Sequence, residues 1–156
     1  MKEYVRDKRS PMPSNEHVSE VMSANAGSNT HPEIRLRQAL RRAGHIGYRL
    51  HRKDLPGRPD IAFIGPKVAI FVNGCFWHRC PICDLPLPKS NTEFWRSKFD
   101  ANVKRDAEKC NRLRSEGWVV ITVWECQIKK DVDEAVRTIS SELGRRKSSE
   151  ISSIEQ

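Results

Sequence analysis

Residues 73–83, NGCFWHRCPIC, crowd three cysteines, a histidine and two aromatics into eleven positions. The cysteines fall as C-x4-C-x2-C at Cys75, Cys80 and Cys83, in a chain with an odd total of five. Thiolates at that spacing fit one Zn²⁺ better than a disulfide framework. A fourth ligand is needed, and Cys126 can supply it, because it follows the apolar run Trp118 to Trp124, expected to be a buried strand ending on the same side of a sheet. A shell closed by so remote a cysteine staples the chain, which is structural rather than catalytic metal chemistry. The competing reading is that these are small buried apolar residues, and for Cys110, in mid-helix, that reading is preferred.

A second group of residues is oxygen-rich. Asp60 stands at the mouth of an otherwise apolar run, Ile61 to Ile64, where a carboxylate is costly to bury unless it is paired or binds a metal. The other reading is a solvated strand end. Asn102 and Asp106 interrupt an apolar helical stripe, so they either look into a site or make a buried hydrogen bond within the core. Glu33 closes the capping box Thr30-x-x-Glu33, which is a sufficient structural explanation for it.

Several elements must position these groups. A first amphipathic helix follows Thr30, with Pro32 in its first turn and Leu36, Leu40 and Ala43 on its stripe, and ends at Gly44. Tyr48 to Leu50 is a weak strand. Pro56 and Pro59 then exclude helix before Asp60. Two buried strands come next, Ile61 to Ile64 and Val68 to Val72, joined by the Gly65-Pro66-Lys67 turn. A long helix reaching toward Gly117 carries Trp95, Phe99, Val103, Cys110 and Leu113 on one face, with Ser90-x-x-Glu93 as a second capping box. Trp118 to Trp124 is apolar on both faces, as in a central strand. Val132, Val136, Ile139 and Leu143 make a final helix. The order helix, three strands, helix, strand, helix implies an α/β fold with a mixed central sheet flanked by helices.

At 156 residues the chain is one domain with room for a real core. Its formal charge of +8 and pI near 9.5 point to a polyanion, nucleic acid ahead of an anionic membrane surface. No apolar segment approaches the roughly 20 residues of a membrane span, and no signal-peptide core is evident, so a reducing compartment is expected. Residues 1–29 read as a flexible arm, 30–143 as the domain, and 144–156 as a disordered polar tail.

Five blocks in unbroken order carry a family resemblance: GRPD, FVNGCFWH, PKSNTEFW, NVKRD and GWVVITVWEC. Together they resemble the very-short-patch repair (Vsr) endonucleases from about Thr30 to Cys126. The resemblance implies a restriction-endonuclease-like αβββαβ core, a structural Zn²⁺ on Cys75, Cys80, Cys83 and Cys126, and Mg²⁺-dependent nicking of DNA at a T:G mismatch. It further implies Mg²⁺ held by Asp60 and the Val72 carbonyl, His78 as general base, and Asp106 and Glu33 orienting metal-bound water or the imidazole. Asn73 stands where the family presents histidine, and Cys80 where it has a zinc-binding histidine. A Glu-x-Lys pair on the second strand, common in related nucleases, is replaced by Ala69-Ile70-Phe71-Val72-Asn73, a lack that the Vsr enzymes share. Phe76, Trp77 and Trp95 match aromatics that wedge into the base stack, and Met22 matches a methionine of the DNA-contacting arm. A mismatched step is cheaper to unstack than a paired one, which favours such a wedge.

The partner implied is duplex DNA carrying T:G, met by a monomer in a prokaryotic cytoplasm, with other mismatch-repair proteins as further partners. Two other functions remain open on the residues alone. One is a same-fold restriction or nicking enzyme acting on matched DNA. The other is a non-catalytic, zinc-stabilised DNA-binding module. His78, between Cys75 and Cys80, is either the base or itself a zinc ligand.

Overall fold

The computed structural model describes residues 28–154. The arm expected at 1–29, with Met22, lies outside them apart from Ser28 and Asn29. Helix α1 (His31–Arg42) starts at the expected cap: the Glu33 N–H donates to Thr30 Oγ1, and the Glu33 carboxylate accepts from Thr30 Oγ1 at 3.2 Å and from the Asn29 N–H at 3.0 Å. Leu36, Ala39 and Leu40 bury its inner face; Ala43, at the C-cap, is exposed instead.

Strands β1 (Arg49–Leu50), β2 (Ile61–Phe63), β3 (Val68–Asn73) and β4 (Val119–Trp124) form one mixed sheet in the order β1-β2-β3-β4. The first three are antiparallel and β3 with β4 is parallel. Helix α2 (Thr92–Ser115) makes the crossover, and helix α3 (Glu125–Ile154) follows β4 directly. Alternation along the strands splits the core. Ile61, Phe63, Val68 and Ile70 pack with Leu36, Leu40, Val132, Val136 and Ile139 of α1 and α3, whereas Ala62, Ala69 and Phe71 pack with Leu113 of α2 and with Trp118.

Four local expectations need correction. β4 is an edge strand, not a central one; it is apolar on both faces because α2 covers one and α3 the other. The box at Ser90 and Glu93 does not form. Asn91 caps α2 from the left-handed region (φ 55°, ψ 41°) with no side-chain bond, the sharp turn carries Ser90 aside, and Glu93 pairs with Arg96. Val103 is 47% exposed, because the middle of α2 stands over a cleft between its two buried contacts. Finally, α3 continues past Gly144 through Ile154. Ser148, Ser149, Ser152 and Ser153 each bond the carbonyl four residues back, although among the described residues no side chain beyond Leu143 is buried. Within α3, Asp131 breaks the helix with extended φ and ψ, and its carboxylate caps the second part at the N–H groups of Asp133 and Glu134.

Candidate active site and cysteine cluster

The parallel register of β3 and β4 builds the site. Asn73 pairs with Trp124, so Cys75 and Cys126 each lie two residues beyond equivalent strand ends. The loop after β3 turns back on itself, with the His78 N–H bonded to the Gly74 carbonyl and the Cys80 N–H to that of Cys75. This brings Cys75, Cys80, Cys83 and Cys126 together with their sulfurs within 4.8 Å of one another. Cys80 Sγ and Cys126 Sγ are 3.7 Å apart. Four sulfurs at about 2.3 Å from a central ion would be separated by about 3.8 Å, so the donor set fits tetrahedral Zn²⁺. Burial raises the Cys75 thiol, whereas Cys80, despite its own desolvation, is held below the usual range by the N–H groups of Cys83 and Ile82. His78 stands outside the thiol set.

The oxygen-rich centre lies at the same end of the sheet. β1 and β2 pair Leu50 with Ile61, which sets His51 opposite Asp60, and the His51 N–H bonds the Asp60 carbonyl. His51 carries no signal in the sequence that marks it for the site; the β1–β2 register is what gives it away. Its Nδ1 is 3.8 Å from Asp60 Oδ1 and its Nε2 is 3.5 Å from Glu33 Oε2. That Nε2 is buried without a hydrogen-bond partner. Glu33, His51 and Asp60 thus converge as a second group able to hold a cation.

Asp60 Oδ2 accepts from the Val72 N–H at 2.7 Å. In a strand the N–H and C=O of one residue point to the same side, so the Val72 carbonyl also faces the β2 edge. Burial pushes the Asp60 carboxyl up to about 6, with Glu33 adding to the effect and the Val72 N–H, His51 and Lys109 opposing it. Two carboxylates and a carbonyl are hard oxygen donors, and a buried carboxylate raised in this way gains from a cation, so the residues fit Mg²⁺.

The polar pair of α2 faces the same loop. Asn102 Nδ2 donates to the Trp77 carbonyl at 3.0 Å, and Asp106 Oδ2 is 2.6 Å from His78 Nδ1. An acceptor at Nδ1 holds the proton there and leaves the lone pair on Nε2. Half-burial of Asp106 pushes its carboxyl up, but the bonds from His78 and Lys109 outweigh this and hold it below the usual range. Lys109 Nζ lies 3.0 Å from Asp106 Oδ1.

A cleft of about 1010 Å³ is lined by Glu33, Asp60, Val72, His78 and three of the cysteines, Cys75, Cys83 and Cys126. A smaller one of about 360 Å³ adjoins it and includes Asp106, Arg79 and Arg114. Asn73, 6% exposed, lines both. Phe76 and Trp77 are half-buried at the wall of the larger cleft, whereas Trp95, 5% exposed, lies behind them against Phe99. The structure therefore brings together Glu33, Asp60, Val72, Asn73, His78 and Asp106, and sets Trp95 in support of the two outer aromatics.

The fold is that of a DNA endonuclease with a restriction-endonuclease-like core. The solved catalytic domain of the homing endonuclease I-Bth0305I has this fold, at 22% identity and a TM-score of 0.52, over 76% of this chain and 98% of that one. The sequence profile described as DNA mismatch endonuclease Vsr matches residues 12–83. The Type II nicking enzyme V.XorIIP of Xanthomonas oryzae pv. oryzae is 44% identical over 108 residues, 69% of this chain and 79% of that protein. DNA mismatch endonuclease Vsr of Escherichia coli K12 is 39% identical over 121 residues, 76% of this chain and 77% of that protein. The chain belongs to the Vsr endonuclease family. Membership sets aside the reading as a non-catalytic binding module.

Among the described residues no helix is long and apolar enough to cross a membrane.

Proposed function

We propose that this endonuclease nicks one strand of duplex DNA at a T:G mismatch and depends on Mg²⁺. The observation that carries the reading is the convergence of a half-buried Asp60 carboxylate and an Asp106-oriented His78 on one cleft with half-exposed aromatics in its wall. The names of the relatives, a mismatch endonuclease and a nicking enzyme, support action at a mismatch and nicking, while the Mg²⁺ dependence draws on the oxygen donors around Asp60. Residues 30–143 form the endonuclease domain, Met22 is a DNA contact, and the protein works as a monomer.

Asp60 and the Val72 carbonyl would hold the cation, with Glu33 beside them; bound there, Mg²⁺ would offset negative charge on the scissile phosphate. His78 Nε2 takes the proton from the attacking water, and Asp106 keeps the imidazole in the right tautomer and stabilises it once protonated. Phe76 and Trp77 enter the stack at the mismatch, with Trp95 as backing. Asn73 offers a hydrogen bond to phosphate or water but no proton. The four cysteines hold Zn²⁺ and fix the loop that carries His78.

A second reading, nicking at a matched sequence, draws on the nicking-enzyme relatives. The test is cleavage of strand-labelled T:G and fully matched duplexes of the same sequence, with Mg²⁺ and with EDTA. One nick, in the T strand of the mismatched duplex and only with Mg²⁺, is expected. Equal cleavage of the matched duplex would overturn the mismatch reading, and cleavage in EDTA would overturn the metal dependence.

A further inference from the structure

Lys109 sits one helical turn beyond Asp106 on α2 and plays no part in the mechanism above. A lysine on a surface helix ordinarily keeps its ammonium mobile and hydrated. Lys109 is instead only 19% exposed and is held from three directions. Its Nζ pairs with Asp106 Oδ1 at 3.0 Å and lies 4.3 Å from the centroid of the Phe71 ring. Its alkyl stem passes against Gly57, where a Cβ would stand 2.5 Å from Lys109 Cδ and 2.7 Å from its Cβ. Gly57 also has φ +71°, so both its conformation and its bareness leave the space that the stem fills.

The two oxygens of Asp106 are thereby divided, Oδ1 to Lys109 and Oδ2 to His78. A carboxylate fixed at one oxygen only can swing about its last torsion and offer either oxygen or neither. Held at both, it presents one oxygen to the imidazole in a fixed direction. We propose that Lys109 is a positioning residue for His78: clamped by Gly57 and Phe71, its ammonium fixes Asp106 so that the imidazole keeps its proton on Nδ1 and its lone pair on Nε2. The proposal rests on the reading of His78 as the base. Lys109 also lines both clefts, so the same ammonium adds positive charge to their walls.

The test uses the zinc-loaded full chain with ¹⁵N-labelled histidine. The His78 ring is read by NMR above the histidine titration range, alongside single-turnover nicking of the T:G duplex and thermal melting. Lys109→Met should melt close to the parent, convert His78 from the Nδ1–H tautomer to a mixture, and nick about 10- to 100-fold more slowly, the range for losing the partner that orients a working group. Gly57→Ala, which displaces the stem without removing the charge, should change the His78 spectrum in the same direction. Lys109→Arg should retain the parent's tautomer. Ethylammonium should restore part of the rate to Lys109→Ala.

A parent-like His78 spectrum in Lys109→Met overturns the proposal, whatever the rate does. Because the spectrum needs no DNA, a parent that cuts no duplex would remove the reading of His78 as base while the tautomer comparison still decides the role of Lys109.

Discussion

The cysteine cluster and the carboxylate centre lie at the same end of one sheet, and they rest on opposite physical terms. The cluster is made of small, weakly polar groups that are tolerated in a core, and three of its four members come from nine consecutive residues. The centre gathers an aspartate, a histidine and a glutamate from three separate elements, and it leaves Asp60 pushed up to about 6 and His51 Nε2 without a partner. With zinc bound, the first region would stabilise the fold, whereas the second is held in place by it. Such a division fits an enzyme whose scaffold tolerates an unfavourable centre for the sake of what it binds.

The largest effect that would sharpen this contrast is on the stabilising side. Cys126→Ala removes the ligand that ties α3 to the loop, and it should lose zinc and about 4 kcal/mol or more of stability, as loss of a structural metal does. Metal content and urea unfolding check it, and a zinc-free variant as stable as the parent would end the staple reading.

His78→Ala acts on the other region. It should slow nicking by about 10²- to 10⁴-fold, the range for loss of a general base, while zinc stays bound. Loss of zinc from this variant would make the histidine a ligand and merge the two regions.

Asp60→Asn should raise the stability of the metal-free protein. A carboxyl whose folded pKa is raised from 3.8 to about 6 binds more protons folded than unfolded, so its cost grows as pH rises through that window and is complete above it. At neutral pH the gain should approach about 2–3 kcal/mol, at 1.36 kcal/mol per pKa unit, and it should be nearly gone by about pH 4. Denaturant unfolding of both proteins across that range gives the difference directly. A variant less stable than the parent at neutral pH would show the centre to be a structural network after all.

The smallest effect is a control on the helix that carries Asp106. The Arg112–Glu116 pair, 3.8 Å apart with side chains 73% and 46% exposed, should contribute no more than about 0.5 kcal/mol. A Glu116→Ala change as costly as Asp60→Asn is favourable would mean that burial does not separate working charges from idle ones here.

Much of this was legible in the sequence because it is written locally. The cysteine spacing, the buried runs of β2 and β3 and the polar pair Asn102 and Asp106 within an apolar stripe all stand in their places. What was hidden depends on register or on several elements at once. His51 matters only because β1 pairs with β2 so as to set it opposite Asp60. Lys109 looks like an ordinary i,i+3 partner until Gly57, far away in sequence, is seen against its stem. The edge position of β4 was masked because helices cover both its faces, and covered faces give the hydrophobic pattern of a central strand.

If Asp60 serves chemistry and the cysteines serve the fold, one preparation of the Asp60→Ala protein will show both. It should fold, hold one zinc and bind a T:G duplex as the parent does, yet lose single-turnover nicking in Mg²⁺ by about 10³-fold or more, as expected when the side chain that holds a charge-stabilising cation is removed. Nicking at the parent's rate by a folded, zinc-loaded Asp60→Ala protein would contradict the account.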